Sequence, residues 1–135
     1  MPDKTGQDRG NSGVYIQGLY EIQVLDTYGK EDPLWDDCAG IYKIAAPLTN
    51  ASYPPEEWQT YDIFLRAAVV GENKELIEPA IVTILHNGRV VHNNLKLMTT
   101  TGGALKKQPR ATGPLLLQDH GCPVVYRNIW VQPLD

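Results

Sequence analysis

The stretch Ile81-Val-Thr-Ile-Leu-His86, Asn87-Gly88, Arg89-Val-Val-His92 decides the fold class. Two β-branched runs flank an Asn-Gly pair, and both of those residues tolerate the positive φ that a type I′ hairpin turn needs. The turn predicts a strand on each side, with His86 facing Arg89, Leu85 facing Val90 and Ile84 facing Val91. Apolar residues fall on both faces of this ribbon, as expected of a strand pair inside a sandwich.

Working outward, the same signature recurs. Short runs rich in β-branched and aromatic residues, separated by turn residues, read as strands. They are Val14–Gln17, Tyr20–Leu25, Ile41–Ile44, Thr60–Ala68, Ala80–His86, Val90–Leu97, Leu115–Leu117 and Val124–Val131. Ten prolines and twelve glycines are scattered along the chain, and no window holds a capped 3.6-residue apolar period. The reading is all-β, an antiparallel sandwich, as a single domain over residues 1–135.

Composition narrows the partners. Apolar content of 42% and charged content of 21% are ordinary for a globular chain. Twelve basic against sixteen acidic residues give a net charge of −4, which argues against duplex nucleic acid or an anionic membrane surface as a partner. No apolar run approaches the ~20 residues that cross a bilayer. Residues 1–10 are polar and hold no apolar h-region. Cys38 and Cys122 fit no zinc or redox spacing and are expected to be free thiols.

Three long connections stand out: Thr27–Ala39, Ala45–Trp58 and Thr99–Gly113. Loops of this length in a compact domain are often functional. The last carries Lys106, Lys107 and Arg110 without interleaved aromatics, and is expected to be a solvated crossover between sheets.

Candidate chemistry centres on two segments. In Leu19-Tyr-Glu-Ile-Gln-Val-Leu-Asp26, alternation puts Glu21 and Gln23 on one face and Tyr20, Ile22 and Val24 on the other. A mid-strand carboxylate beside an amide suits either a ligand groove or a solvated face. Asp26, at the strand end, either points back toward that face or opens the next turn. In Leu115–Trp130, Gln118-Asp119-His120 precedes a break at Gly121 and Pro123. His120 could serve as a general base, a ligand or a bonded corner. Alternation along the last run puts Arg127 and Asn128 on opposite faces. His86 and His92, near the hairpin turn, are read as structural. The chain holds no GxSxG, HExxH or CxxC, and the Glu21 strand lacks the second acid of an ordinary retaining glycosidase pair.

Six segments taken in order resemble the 3-keto-disaccharide hydrolase family. They are Arg9-Gly-Asn-Ser-Gly-Val-Tyr15, Tyr20-Glu-Ile-Gln-Val-Leu-Asp26 with Tyr28-Gly29, and Ala46-Pro-Leu-Thr-Asn-Ala51 with Pro54 and Pro55. They continue with Glu57-Trp-Gln-Thr-Tyr-Asp62, Val82-Thr-Ile-Leu-His-Asn-Gly88, and Gly113–Gly121 running into Arg127-Asn-Ile-Trp-Val131. The resemblance implies a concanavalin A-like jelly roll with a sugar groove on its concave sheet, and an exported or periplasmic setting. It implies cleavage of 3-keto-glycosides by elimination and hydration, with Glu21 or His120 as the base. Gln23, Asp26, Arg127 and the loop aromatic Trp58 would be substrate ligands. A divalent metal on Glu21, Asp26 and His120 is chemically conceivable. The rival readings are a non-catalytic, lectin-like sugar-binding module and a truncated domain with an assembly role.

Family members usually carry more strands ahead of Arg9-Gly-Asn-Ser-Gly13. The resemblance therefore implies an incomplete jelly roll that forms a homo-oligomer or takes missing strands from a partner, since open edges recruit strands.

Overall fold

The computed structural model describes residues 3–134. It is antiparallel and nearly all-β. One 3₁₀ turn, Gly6–Asp8, precedes β1 (Ser12–Ile16), β2 (Tyr20–Val24), β3 (Tyr61–Arg66), β4 (Val69–Val70), β5 (Leu76–Glu78), β6 (Ala80–His86), β7 (Arg89–Leu97) and β8 (Leu116–Leu117). One sheet has the order β2-β1-β8 and a second β3-β6-β7, while β4 and β5 form a small ribbon. The first sheet turns Val14, Ile16, Tyr20, Ile22 and Val24 into the interior, where they meet Ile63, Leu65, Val82, Ile84 and Val91 of the second. The chain is a β-sandwich of jelly-roll type.

The β6–β7 hairpin turns where the Asn-Gly pair sits, with φ of 51° at Asn87 and 78° at Gly88. His86 faces Arg89 and Leu85 faces Val90, but Ile84 faces His92, not Val91. The cause is a bulge, in which two residues of one strand oppose one of the other. It lets Val91 and His92 both turn inward, and both are buried. Burying a valine side chain is worth about 1.5–3 kcal/mol, and an unbulged ladder would turn one of the two outward. A second irregularity follows at Asn93-Asn94, where Asn94 has φ 49° and its N–H donates to Thr83 Oγ1 over 3.0 Å.

Two expected strands are absent. Ile41–Ile44 is a tight reversal with Lys43 at φ 60°, so Ile41 bridges both Ile22 and Ala45 and no ladder extends. Residues 39–42 instead bond along the free edge of β2, through Gln23 N–H to Gly40 O, Ala39 N–H to Gln23 O and Tyr42 N–H to Glu21 O. Val124–Val131 forms no strand and has no ladder partner among the described residues. Asn128, at φ 53°, breaks its alternation, and Val125, Ile129, Trp130 and Val131 are exposed. The β4–β5 ribbon was not expected.

The 98–115 connection is the largely exposed crossover expected, running from β7 of one sheet to β8 of the other, but it is anchored at two points. Thr101 is buried, its N–H donates to Leu19 O, and Leu105 N–H donates to Gly18 O. The loop is strapped across the β1–β2 turn. The cysteines are unbridged: Cys38 is buried with its sulfur 3.2 Å from Tyr61 Oη, and Cys122 points at Asp8 O.

Candidate functional site

Glu21 stands at the centre of a buried polar layer on the outward face of the β2-β1-β8 sheet. The turn Gln17-Gly18-Leu19 sets the register, so Tyr15 lies directly opposite Glu21 and Gly13 opposite Gln23. The absence of a side chain at Gly13 leaves room for the carboxylate, since a Cβ there would sit 2.6 Å from Glu21 Oε1. Tyr15 Oη donates to Glu21 Oε2 over 2.9 Å, and Gln118 Nε2 donates to Tyr15 Oη over 3.2 Å. Thr101 Oγ1 accepts from the Glu21 N–H at 2.9 Å. Gly103 lies so close that a Cβ there would overlap the Tyr15 hydroxyl. Loop 98–115 thus closes over the pair.

Glu21 is only 4% exposed, so this face is a covered polar layer and not the open groove expected. Burial raises the Glu21 carboxyl above its usual range, while the Tyr15 bond and the nearby His120 charge pull it part of the way back. Burial, and then the charge of Glu21, push the Tyr15 phenol up. His120 itself is exposed, just past β8. The structure therefore brings the two candidate bases within electrostatic reach, one buried and one in solvent.

The other expected ligands are distributed differently. Gln23 is buried, and its amide nitrogen donates to Asn11 Oδ1, Ser12 O and Val24 O. Asp26 accepts from Arg9 at 2.5 Å and from the Tyr28 N–H, forming a corner apart from the Glu21–Tyr15 pair. Arg127 lies over the Trp58 ring, its guanidinium carbon 3.7 Å from the centroid, and Trp58 is about half exposed. Between His120 and Arg127, Tyr126 exchanges a 2.7 Å hydrogen bond with Ser12 Oγ. Burial raises its phenol, the Ser12 bond lowers it, and the charges of Cys38 and Glu21 raise it further. No group of three His, Cys, Asp or Glu side chains is gathered at metal-binding distance among the described residues. In particular, Asp26 is turned to Arg9 and does not join Glu21 and His120.

Sequence reasoning missed Tyr15, Thr101, Gly103, Gln118 and Tyr126. Tyr15 alone had a readable signal. Counting back from Glu21 across a turn at Gly18 places it opposite the carboxylate.

A jelly-roll sandwich with a covered carboxylate–tyrosine pair on one sheet defines a class of β-sandwich domain. Residues 3–132 match the family described as the 3-keto-alpha-glucoside-1,2-lyase-like domain, and the chain belongs to that family. It is also similar to a solved crystal structure named "putative glycosyl hydrolase from Parabacteroides distasonis ATCC 8503", at 38% identity and a TM-score of 0.78. The match covers 90% of this chain and 53% of that one, so the chain spans about half the length of that relative. No curated protein matches it.

Proposed function

We propose that this domain acts on sugars and cleaves 3-keto-glycosides by elimination followed by hydration. The observation that carries the reading is the Tyr15–Glu21 pair, a buried, oriented carboxylate near the exposed imidazole of His120. A ketone at carbon 3 acidifies the proton on carbon 2. A base removes that proton, the enolate forms, and the glycosidic oxygen leaves carbon 1. Water then adds, giving net hydrolysis. The route needs one base and a stabilised enolate, not two facing carboxylates.

Exposure favours His120 as the group that meets the substrate, with Glu21 behind it as counter-charge to the imidazolium that forms. Tyr15 holds the carboxylate oriented. Arg127, spread over Trp58, offers a cation beside an exposed aromatic face, a surface suited to a sugar ring and an oxyanion. Gln23, buried and held through its amide nitrogen by Asn11, Ser12 and Val24, braces the layer beneath the substrate-facing groups. The exposed apolar run Val125, Ile129, Trp130 and Val131 supports a further part of this reading. A second copy, or a partner chain, covers that segment.

The half-exposed Trp58 also favours a second reading, a lectin-like module that binds sugar without turnover. Incubating the chain with a synthetic 3-keto-glycoside bearing a chromogenic leaving group separates the two. Release of the leaving group supports the enzyme; saturable binding with no release supports the module.

A further inference from the structure

The connection 98–115 arches over the β1–β2 turn and borders a half-open concavity of about 490 Å³, inside the range of about 300–1,000 Å³ typical of small-molecule sites. Lys74, Lys106 and Arg110 line it, and no acidic residue does. In a chain of net charge −4, three cations on one concavity are a local reversal of sign. None of the three has an ion-pair partner among the described residues. Arg110 Nε is buried without a hydrogen-bond partner, and so is the acceptor Gln17 Oε1, whose own amide nitrogen is held by Ala111 O.

Another concavity provides the contrast. It holds Arg9 and Lys30, but also Asp26, Asp36 and Asp37. There each cation is matched internally, Arg9 by Asp26 at 2.5 Å and Lys30 by Asp37 at 2.6 Å. A buried donor left unpaired is costly, and that cost falls away when a ligand brings an oxyanion to Arg110.

We propose that this cavity is a binding site for an acidic saccharide, one carrying a carboxylate or sulfate. The oxyanion is held by Lys74, Lys106 and Arg110, whose guanidinium and ammonium groups suit such oxygens. A sugar hydroxyl donates to Gln17 Oε1, which an oxyanion without a proton cannot do. The choice of a saccharide over a free anion rests on the sugar-active reading above; the cation cluster does not.

The test is calorimetric titration of the whole chain at fixed ionic strength with glucuronate, glucose 6-sulfate, glucose and sodium sulfate. Amide shifts at Gln17, Leu105 and Gly113 report the location. Glucuronate or glucose 6-sulfate binds saturably and more tightly than either glucose or sulfate. Lys106→Ala and Arg110→Gln each weaken that binding by about ten- to a hundredfold, the loss of one charge-assisted hydrogen bond. Lys74→Ala, on the separate β4–β5 turn, does the same without touching the arching loop. Absence of binding, equal affinity for glucose and glucuronate, sulfate binding as tightly as the acidic sugars, or full affinity in the three variants would each overturn the proposal. Titration of binding is read separately from 3-keto-glycoside turnover, so the two can fail independently.

Discussion

Tyr15 and Glu21 face each other across one rung of the β1–β2 ladder, and the phenol donates to the carboxylate over 2.9 Å. The bond favours the ionised acid, while burial opposes it and wins. Tyr15→Phe removes the favourable partner and leaves the burial. The Glu21 carboxyl then titrates at still higher pH, which a carbon-13 titration of the side-chain carboxyl reads directly. An unchanged titration would mean that the hydroxyl is a spectator. Gly103→Ala acts on the same pair from above, since its methyl would occupy the hydroxyl's place, and moves the titration in the same direction.

A raised folded-state pKa also has a sign for stability. The protonated acid is the form the fold accommodates, so the Glu21 contribution is present at low pH and lost as pH rises through the folded pKa. Glu21→Gln mimics the protonated state. The variant is therefore more resistant to denaturant than the parent at pH 8, and the advantage closes by pH 4. A loss of stability at pH 8 would show that the Tyr15 bond outweighs burial.

His86 carries the opposite sign. Its ring is buried against Tyr61, and burial lowers its pKa to about 4. Nε2 meets Gln59 Oε1 at 3.0 Å, and Nδ1 has no partner. His92, buried with Nε2 2.7 Å from Ala39 O, is lowered too. The unfolded chain takes up protons near the ordinary imidazole pKa of about 6.5, before the folded one does. Stability is full above that value and falls as pH drops toward 4. Denaturant midpoints from pH 7 to 4 follow that slope, and His86→Phe flattens it. A variant whose midpoint falls as steeply as the parent's would assign the slope elsewhere.

Asn87 does more than turn the hairpin. Its Oδ1 accepts from Thr60 N–H, and its Nδ2 donates to Ala51 O and Gln59 Oε1. Asn87→Gly keeps the positive φ and deletes the clamp, and costs about 0.5–1.5 kcal/mol, the net worth of hydrogen bonds whose partners water can reach. Gly88→Ala keeps the clamp and strains φ, and costs about 1–2 kcal/mol. Urea denaturation separates them, and a neutral Asn87→Gly would reduce Asn87 to a turn former.

Local signals made much of the fold readable. The Asn-Gly turn, the β-branched runs and the scattered prolines all describe short-range preferences, and β6 and β7 follow from them. The Val91–His92 bulge did not, because both residues are driven inward by a core that periodicity alone cannot place. Ile41–Ile44 and Val124–Val131 have strand composition, yet strand formation needs a neighbouring edge, and composition does not supply one. The site was legible to the extent that alternation isolates Glu21 and Gln23. Its cover was not, because Thr101 and Gly103 reach it from about eighty residues away, through a loop whose composition looks solvated.

The most direct test of the account is turnover of a 3-keto-glycoside by the parent chain and by Glu21→Gln, with the matching unoxidised glycoside as control. The account predicts that the parent releases the leaving group from the keto substrate alone. Glu21→Gln removes the counter-charge behind the His120 base and loses about 10²–10⁴-fold of that rate, the range that general acid–base catalysis supplies. Equal turnover by the two proteins, or none by the parent on a substrate that it binds, would contradict it.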